Sequence, residues 1–226
     1  MTGLQKFELD ITGFPMIWSE SINCYIQFFP FSKIQFELFM ASSHNPLFNA
    51  ENYSELIILN PRVSPNNIHK DNYWQAFLTG VKPNELEEIT RWYQSTDQQN
   101  TYKFFSLEEW NAIYFEFSRK EPIRDLSVIP TKNKRISLLI EKLGNTYKYL
   151  RPNNNRSFSL KDQMLFQYGV VEWVSSSHSN HKWIGMGQPN PDFRTVVYSP
   201  EQGVPEYPIA PYQDRLFYYG FRLLRN

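Results

Sequence analysis

The side chains best suited to chemistry are few in this chain: four histidines and one cysteine among 226 residues. His178 and His181 stand three positions apart, a spacing that would aim both imidazoles at one metal if the segment were helical. Their neighbours, Ser175-Ser176-Ser177 and Ser179-Asn180, read as a loop, and no acid or cysteine beside them offers a third ligand. His44 and His69 lie elsewhere in the sequence. Cys24, alone, makes neither a disulfide framework nor a cysteine zinc site. A serine nucleophile needs a shaped context such as Gly-x-Ser-x-Gly, and none is present. Gly185-Met186-Gly187 lacks the helix start that a phosphate-cradling loop requires. The sequence therefore predicts no metal site, no cofactor and no catalytic residue.

Binding chemistry is better represented. From Ser175 to Tyr212 the chain is polar and rich in Ser, His, Asn, Pro and Tyr. Loops on a rigid scaffold collect binding residues. Tyrosine and tryptophan supply contact area at low entropic cost, while serine and asparagine supply adaptable hydrogen bonds. The candidate contacts are Ser177, His178, Asn180, His181, Trp183, Phe193, Tyr198, Tyr207 and Tyr212, within a face spanning residues 175–215.

Elements must hold that face in place. Phe7, Leu9 and Ile11 alternate, and Ile22 to Phe29 is rich in β-branched and aromatic residues, so residues 7–29 read as strands. Ser32 and Gln35 form a capping-box pattern before a first helix. Residues 42–80 read as loop-rich, with a short strand at Leu56–Leu59. Pro83 and the acids Glu85, Glu87 and Glu88 open a second helix, with Leu86, Ile89 and Trp92 or Tyr93 inward. Ser106-Leu107-Glu108-Glu109 caps a third, with Leu107, Trp110, Tyr114 and Phe117 on one face. A fourth runs from about Lys132 to Leu143, with Gly144 as its stop. After Tyr149 helix signals vanish. Val170–Val174, Arg194–Tyr198 and Phe217–Leu224 read as short antiparallel strands. The layout predicts an α+β class with about four helices and one domain over residues 1–226.

Composition agrees with a folded binding protein. Aromatics make up 17% of the chain, which suits packing and stacking. Twenty-three bases balance 23 acids, which argues against nucleic acid or an anionic membrane as partner. No apolar run approaches the ~20 residues that span a bilayer, and the first residues do not read as a signal peptide. The expected location is cytoplasmic.

Several segments, in order, resemble the sulfatase-modifying-factor family, which includes the formylglycine-generating enzymes and has a C-type-lectin-like core. Pro30-Phe31-Ser32-Lys33-Ile34-Gln35-Phe36 is similar to the family's PVTNxxF, and Asn60-Pro61-Arg62-Val63 to its NPS segment. Tyr102–Trp110 resembles yRLPTEAEWE, with Phe105 in place of the proline. Tyr168–Trp173 resembles GNVWEW, and Gly220–Arg225 resembles the terminal GFRLVR. The resemblance implies a structural role for Trp110, Glu172, Trp173 and Arg222, with Trp173 and Arg222 holding the C-terminal strands together. It also implies an oxygen-activating copper site on a cysteine pair in the C-terminal half. This chain has no cysteine after Cys24, and no other residue replaces that thiolate. The family's calcium-ligand asparagine is Gly169 here; Glu172 remains, far short of the six to eight oxygens calcium takes.

The expectation is a non-catalytic recognition or scaffold module that binds a protein or small ligand through residues 175–215. Retroelement-diversified variable proteins resemble this class. The Ser-Ser-Ser-His-Ser-Asn-His tract of residues 175–181 is compatible with adenine-directed variation of asparagine codons. The alternatives are an accessory subunit of an assembly or defence-type complex, or a cysteine-independent enzyme on the same fold.

Overall fold

The computed structural model describes residues 5–42, 50–150, 158–166, 168–176, 183–187 and 215–226. Three short runs in the first part of the chain pair as an antiparallel meander: β1 (Phe7–Leu9), β2 (Pro15–Ser19) and β3 (Cys24–Gln27). The β2–β3 turn places Asn23 at φ 53°, a left-handed conformation that asparagine tolerates. β8 (Leu223–Arg225) lies against β3, and β4 (Tyr102–Phe104) against β8. The five-stranded order is β1-β2-β3-β8-β4.

Strand alternation gives this sheet two buried faces. Ile17, Ile26 and Leu224 join one apolar cluster with Trp110, Phe117, Leu139 and Leu143. Met16, Tyr25 and Leu223 join another with Phe36, Phe39, Leu86, Ile89 and Tyr93. Helices thus cover both sides. α1 (Lys33–Ser42) starts from a reciprocal cap: Gln35 N–H donates to Ser32 Oγ at 3.2 Å and Ser32 N–H to Gln35 Oε1 at 2.8 Å. α3 (Pro83–Thr96) buries Leu86, Ile89 and Tyr93 completely. α4 (Leu107–Ser118) carries the Ser106–Glu109 capping box, and Asn133 caps α5 (Lys134–Thr146) through Ile136 N–H at 3.1 Å.

Three features differ from the expectations. There are six α-helices among the described residues, not about four. Leu56–Leu59, read as a strand, ends α2 (Ala50–Leu59). Tyr53 and Leu56, three apart, are its buried side, whereas Ile57 and Ile58 are 42% and 63% exposed. The apolar run thus wraps around a helix. α6 (Leu160–Gln163) is a single turn opened by Ser159 N–H donating to Asp162 Oδ2 at 2.9 Å. Second, Gly144 lies inside α5 instead of ending it. Leu126 packs onto it so closely that a Cβ there would meet both Leu126 methyls at 3.0 Å. Packing, not helix termination, accounts for that glycine.

Third, Phe217–Leu224 divides into two strands in different sheets: β7 (Tyr219–Gly220), and β8 in the five-stranded sheet. β7 runs parallel to β5 (Val171–Ser175), while β6 (Trp183–Met186) pairs antiparallel on the other side of β5. Short strands need not all be antiparallel, because a long excursion separates β5 from β7. Arg194–Tyr198 lies outside the described residues. Among the described residues no helix is long and apolar enough to cross a membrane.

Candidate functional site

β5 presents alternate side chains to opposite sides, and each is anchored differently. Glu172 is fully buried. Its Oε1 accepts Arg222 Nε–H at 2.5 Å and its Oε2 accepts Trp110 Nε1–H at 2.7 Å. Arg222, also fully buried, donates onward to Phe28 O at 3.0 Å and Met164 O at 2.7 Å. Its guanidinium carbon lies 3.7 Å from the centre of the Phe166 ring. Burial pushes the Glu172 carboxyl above its usual range while Arg222 and Trp110 pull it back. Burial also presses Arg222 below its ordinary value, with Glu172 opposing. The pair is fully desolvated and its hydrogen bonds are spent on β3, α6 and α4. Trp173, the next residue, donates its indole N–H to Val81 O at 2.8 Å and packs on Tyr219 at 4.4 Å.

Calcium does not fit at this position. Both Glu172 oxygens are engaged by Arg222 and Trp110. A Cβ on Gly169 would come within 2.6 Å of Leu165 O, so no asparagine side chain has room there. Cys24 lies in β3 with its Sγ 2.6 Å from Asn226 Oδ1.

The described residues on either side of 177–182 and 188–214 are held by the same scaffold. Ser175 closes β5 with its N–H and Oγ both directed to Phe105 O, at 2.9 and 3.2 Å. Trp183 opens β6, half-buried and edge-on to Phe104 at 5.3 Å. β6 approaches β5 and β7 tightly, since a Cβ on Gly185 would meet the Tyr219 ring at 2.4 Å. Gly187 leaves the strand at φ +100°, a conformation glycine adopts freely. Arg215, the first described residue after 187, is only 3% exposed. It donates to both Glu85 oxygens at 2.9 and 2.8 Å, to Glu55 Oε2 at 2.9 Å and to Gly80 O at 2.8 Å. Burial alone would lower its pKa; Glu85 and Glu55 outweigh that and raise it. Four residues on, Tyr219 O accepts Gly80 N–H at 2.9 Å.

Of the residues singled out from sequence, the structure brings Trp110, Glu172 and Arg222 into one hydrogen-bonded unit, with Trp173 beside it on β5. Trp183 sits at the start of β6. Ser177, His178, Asn180, His181, Phe193, Tyr198, Tyr207 and Tyr212 lie outside the described residues. His69 is exposed beside an open surface depression of about 590 Å³ that also exposes Glu141 and Tyr149. No group of three or more His, Cys, Asp or Glu gathers as a metal site among the described residues.

Two buried polar features had no sequence signal. One is Arg215, whose carboxylate partners lie 130 and 160 positions away. The other is Asp10. Its Oδ1 accepts Thr12 N–H, Thr12 Oγ–H and Phe14 N–H, at 2.9, 2.5 and 3.0 Å. Its Oδ2 accepts Gln27, Gln35 and Tyr93, at 3.2, 3.1 and 3.0 Å. Burial raises the Asp10 carboxyl's pKa, and these donors oppose the rise. One carboxylate thereby joins the first strands to α1 and α3. No protein-family model, curated protein or solved structure matches the chain.

Proposed function

We propose that this chain is a non-catalytic recognition module of the formylglycine-generating-enzyme-like class, binding a protein or small ligand through residues 175–215. The observation that carries the reading is how the described residues on either side of these segments are held. Ser175 and Trp183 flank residues 177–182, Ser175 by its hydrogen bonds to Phe105 O and Trp183 by its contact with Phe104. Gly187, just past β6, and the buried, ion-paired Arg215 flank residues 188–214. Packed ends on both sides of a polar stretch suit recognition, because the ordering entropy of the scaffold is already met before binding. The Glu172–Arg222 pair supports a scaffold role for that constellation, since both charges are committed to internal hydrogen bonds.

The test is a paired scan. Tyr198→Ala and Tyr212→Ala should weaken partner binding tenfold or more with melting temperature nearly unchanged, as aromatic anchors tend to be hot spots. If every variant that loses binding is also unfolded, there is no separate recognition face. A template repeat and a reverse-transcriptase gene beside this gene are required by the diversification reading, and their absence removes it. A second reading, an accessory subunit of a larger complex, draws on apolar side chains exposed on α1 and α2: Leu38, Ile57 and Ile58. Those two helices pack through Phe36, Phe39 and Tyr53.

A further inference from the structure

Residues 123–132 hold one short helical turn, Leu126–Val128, yet both ends of the segment are fastened. Gln163, fully buried on α6, accepts Ile123 N–H at 2.7 Å and donates to Ile123 O at 2.9 Å and to Gly144 O at 3.2 Å. At the other end Lys132 N–H donates to Gly13 O at 3.2 Å. Between them Leu126 lies directly over Gly144. The segment is thereby pressed against α5, and the two enclose an open cavity of about 580 Å³. Ile129 and Ile140, 4% and 2% exposed, lie at its base with Leu126 beside them.

Two opposite charges line this cavity without meeting. Arg124 is exposed on the segment, and Glu141 is exposed on α5. Among the described residues neither side chain has an ion-pair or hydrogen-bond partner. Asp125, the other acid on the rim, is held by Ser127 N–H and Oγ–H at 3.0 and 2.6 Å. A guanidinium matches a carboxylate through paired N–H donors, and a carboxylate accepts an ammonium. A phosphoryl group would find one cation here and face two acids, whereas a ligand carrying both signs satisfies both free charges. The aliphatic base suits an apolar body, and the volume lies within the roughly 300–1,000 Å³ of small-molecule sites. Fastened walls lower the ordering entropy that binding costs.

We propose that the cavity between residues 124–131 and α5 binds a small zwitterion with an apolar body, either a free amino acid such as leucine or a short peptide with free ends. The ligand's carboxylate pairs with Arg124 and its ammonium with Glu141, while its side chain covers Leu126, Ile129 and Ile140. The site shares no residue with 175–215, so it stands whether or not that stretch recognises a partner.

The experiment uses the full chain, with titration calorimetry and thermal melts in leucine, leucyl-leucine and N-acetyl-leucine amide. The last keeps the apolar body and lacks both charges. Saturable binding of leucine or the dipeptide is expected, with a Kd below about 1 mM and a melting-temperature rise of roughly 5 °C at about 100 times the Kd. Tighter binding of leucine assigns the site to free amino acids, and tighter binding of the dipeptide assigns it to peptides. Arg124→Gln and Glu141→Gln are surface changes that should melt like wild type without ligand and bind at least about tenfold more weakly. Glu141 also lines the depression beside His69, which Lys142 lines and Arg124 does not. Lys142→Gln should therefore bind like wild type, and a loss there with none in Arg124→Gln would put the ligand in that depression and overturn the proposal. Equal binding of the uncharged compound, undiminished binding by Arg124→Gln, or no saturable binding by the wild type overturns it as well.

Discussion

Replacing Glu172 by Leu would strip Arg222 of its counter-charge while leaving it fully buried. Three acceptors would remain for the guanidinium: Phe28 O, Met164 O and the longer contact to Gln27 O at 3.4 Å. None is charged. Breaking a buried pair from one side costs about 3–5 kcal/mol. The indole N–H of Trp110 also loses its acceptor, an unsatisfied buried donor worth about 1–3 kcal/mol more. Against a total stability of roughly 5–15 kcal/mol, the single variant should be close to unfolding. Arg222→Met alone should behave similarly, since it leaves the carboxylate unpaired. The double variant, Glu172→Leu with Arg222→Met, removes both charges and keeps apolar volume near Phe166. It should be more stable than either single change by about 2 kcal/mol or more. Urea unfolding measures this: with a slope near 2 kcal/mol per M, that difference moves the midpoint by about 1 M. Single-variant losses that add within about 0.5 kcal/mol in the double would refute the pairing argument.

Asp10→Asn should destabilise by roughly 3 kcal/mol, because one oxygen facing three donors becomes an amide that donates; a loss under about 1 kcal/mol in urea unfolding would mean the donors find other partners. Glu116 offers a pH test. Burial raises its carboxyl, but Lys120, Ser19 and Ser21 together outweigh that and hold it below the usual glutamate range. A depressed folded pKa stabilises above the unfolded value, near pH 4.3, and that stabilisation disappears as pH falls through the lower folded value. Wild type should thus exceed Glu116→Gln in urea midpoint at pH 6 and lose the advantage below about pH 4. A gap independent of pH would contradict the assignment.

Local signals were readable wherever chemistry and period agreed. Ser106 and Glu109 announce α4, and Pro83 with Glu85 announces α3, because capping residues act within one turn. The failures share a cause in long-range packing. Leu56 and its apolar neighbours read as a strand because the run is continuous; only contact of Tyr53 with Phe36 and Phe39 picks the helical face. Gly144 reads as a stop until Leu126 is placed over it. At the candidate site, Trp173 and Glu172 stand out by type, while Arg215 does not, since nothing near it in sequence hints at Glu85. Asp10 resembles an ordinary turn aspartate, and half of its six hydrogen bonds come from Gln27, Gln35 and Tyr93.

The position of β8 has a consequence for how the molecule assembles. β8 separates β3 from β4, and Leu223 N–H meets the Gln27 side chain across 196 positions of sequence. β1, β2 and β3 can pair as soon as they are synthesised, because short turns join them. β4 has no partner strand in that sheet until β8 arrives. A nascent chain must therefore carry an open edge on β3 until β8, nearly 200 positions later, is made. Pairings so distant in sequence slow folding and leave such edges exposed to other chains. Chaperone dependence during production, and rescue of yield by slower expression at low temperature, would be the visible signs of that delay.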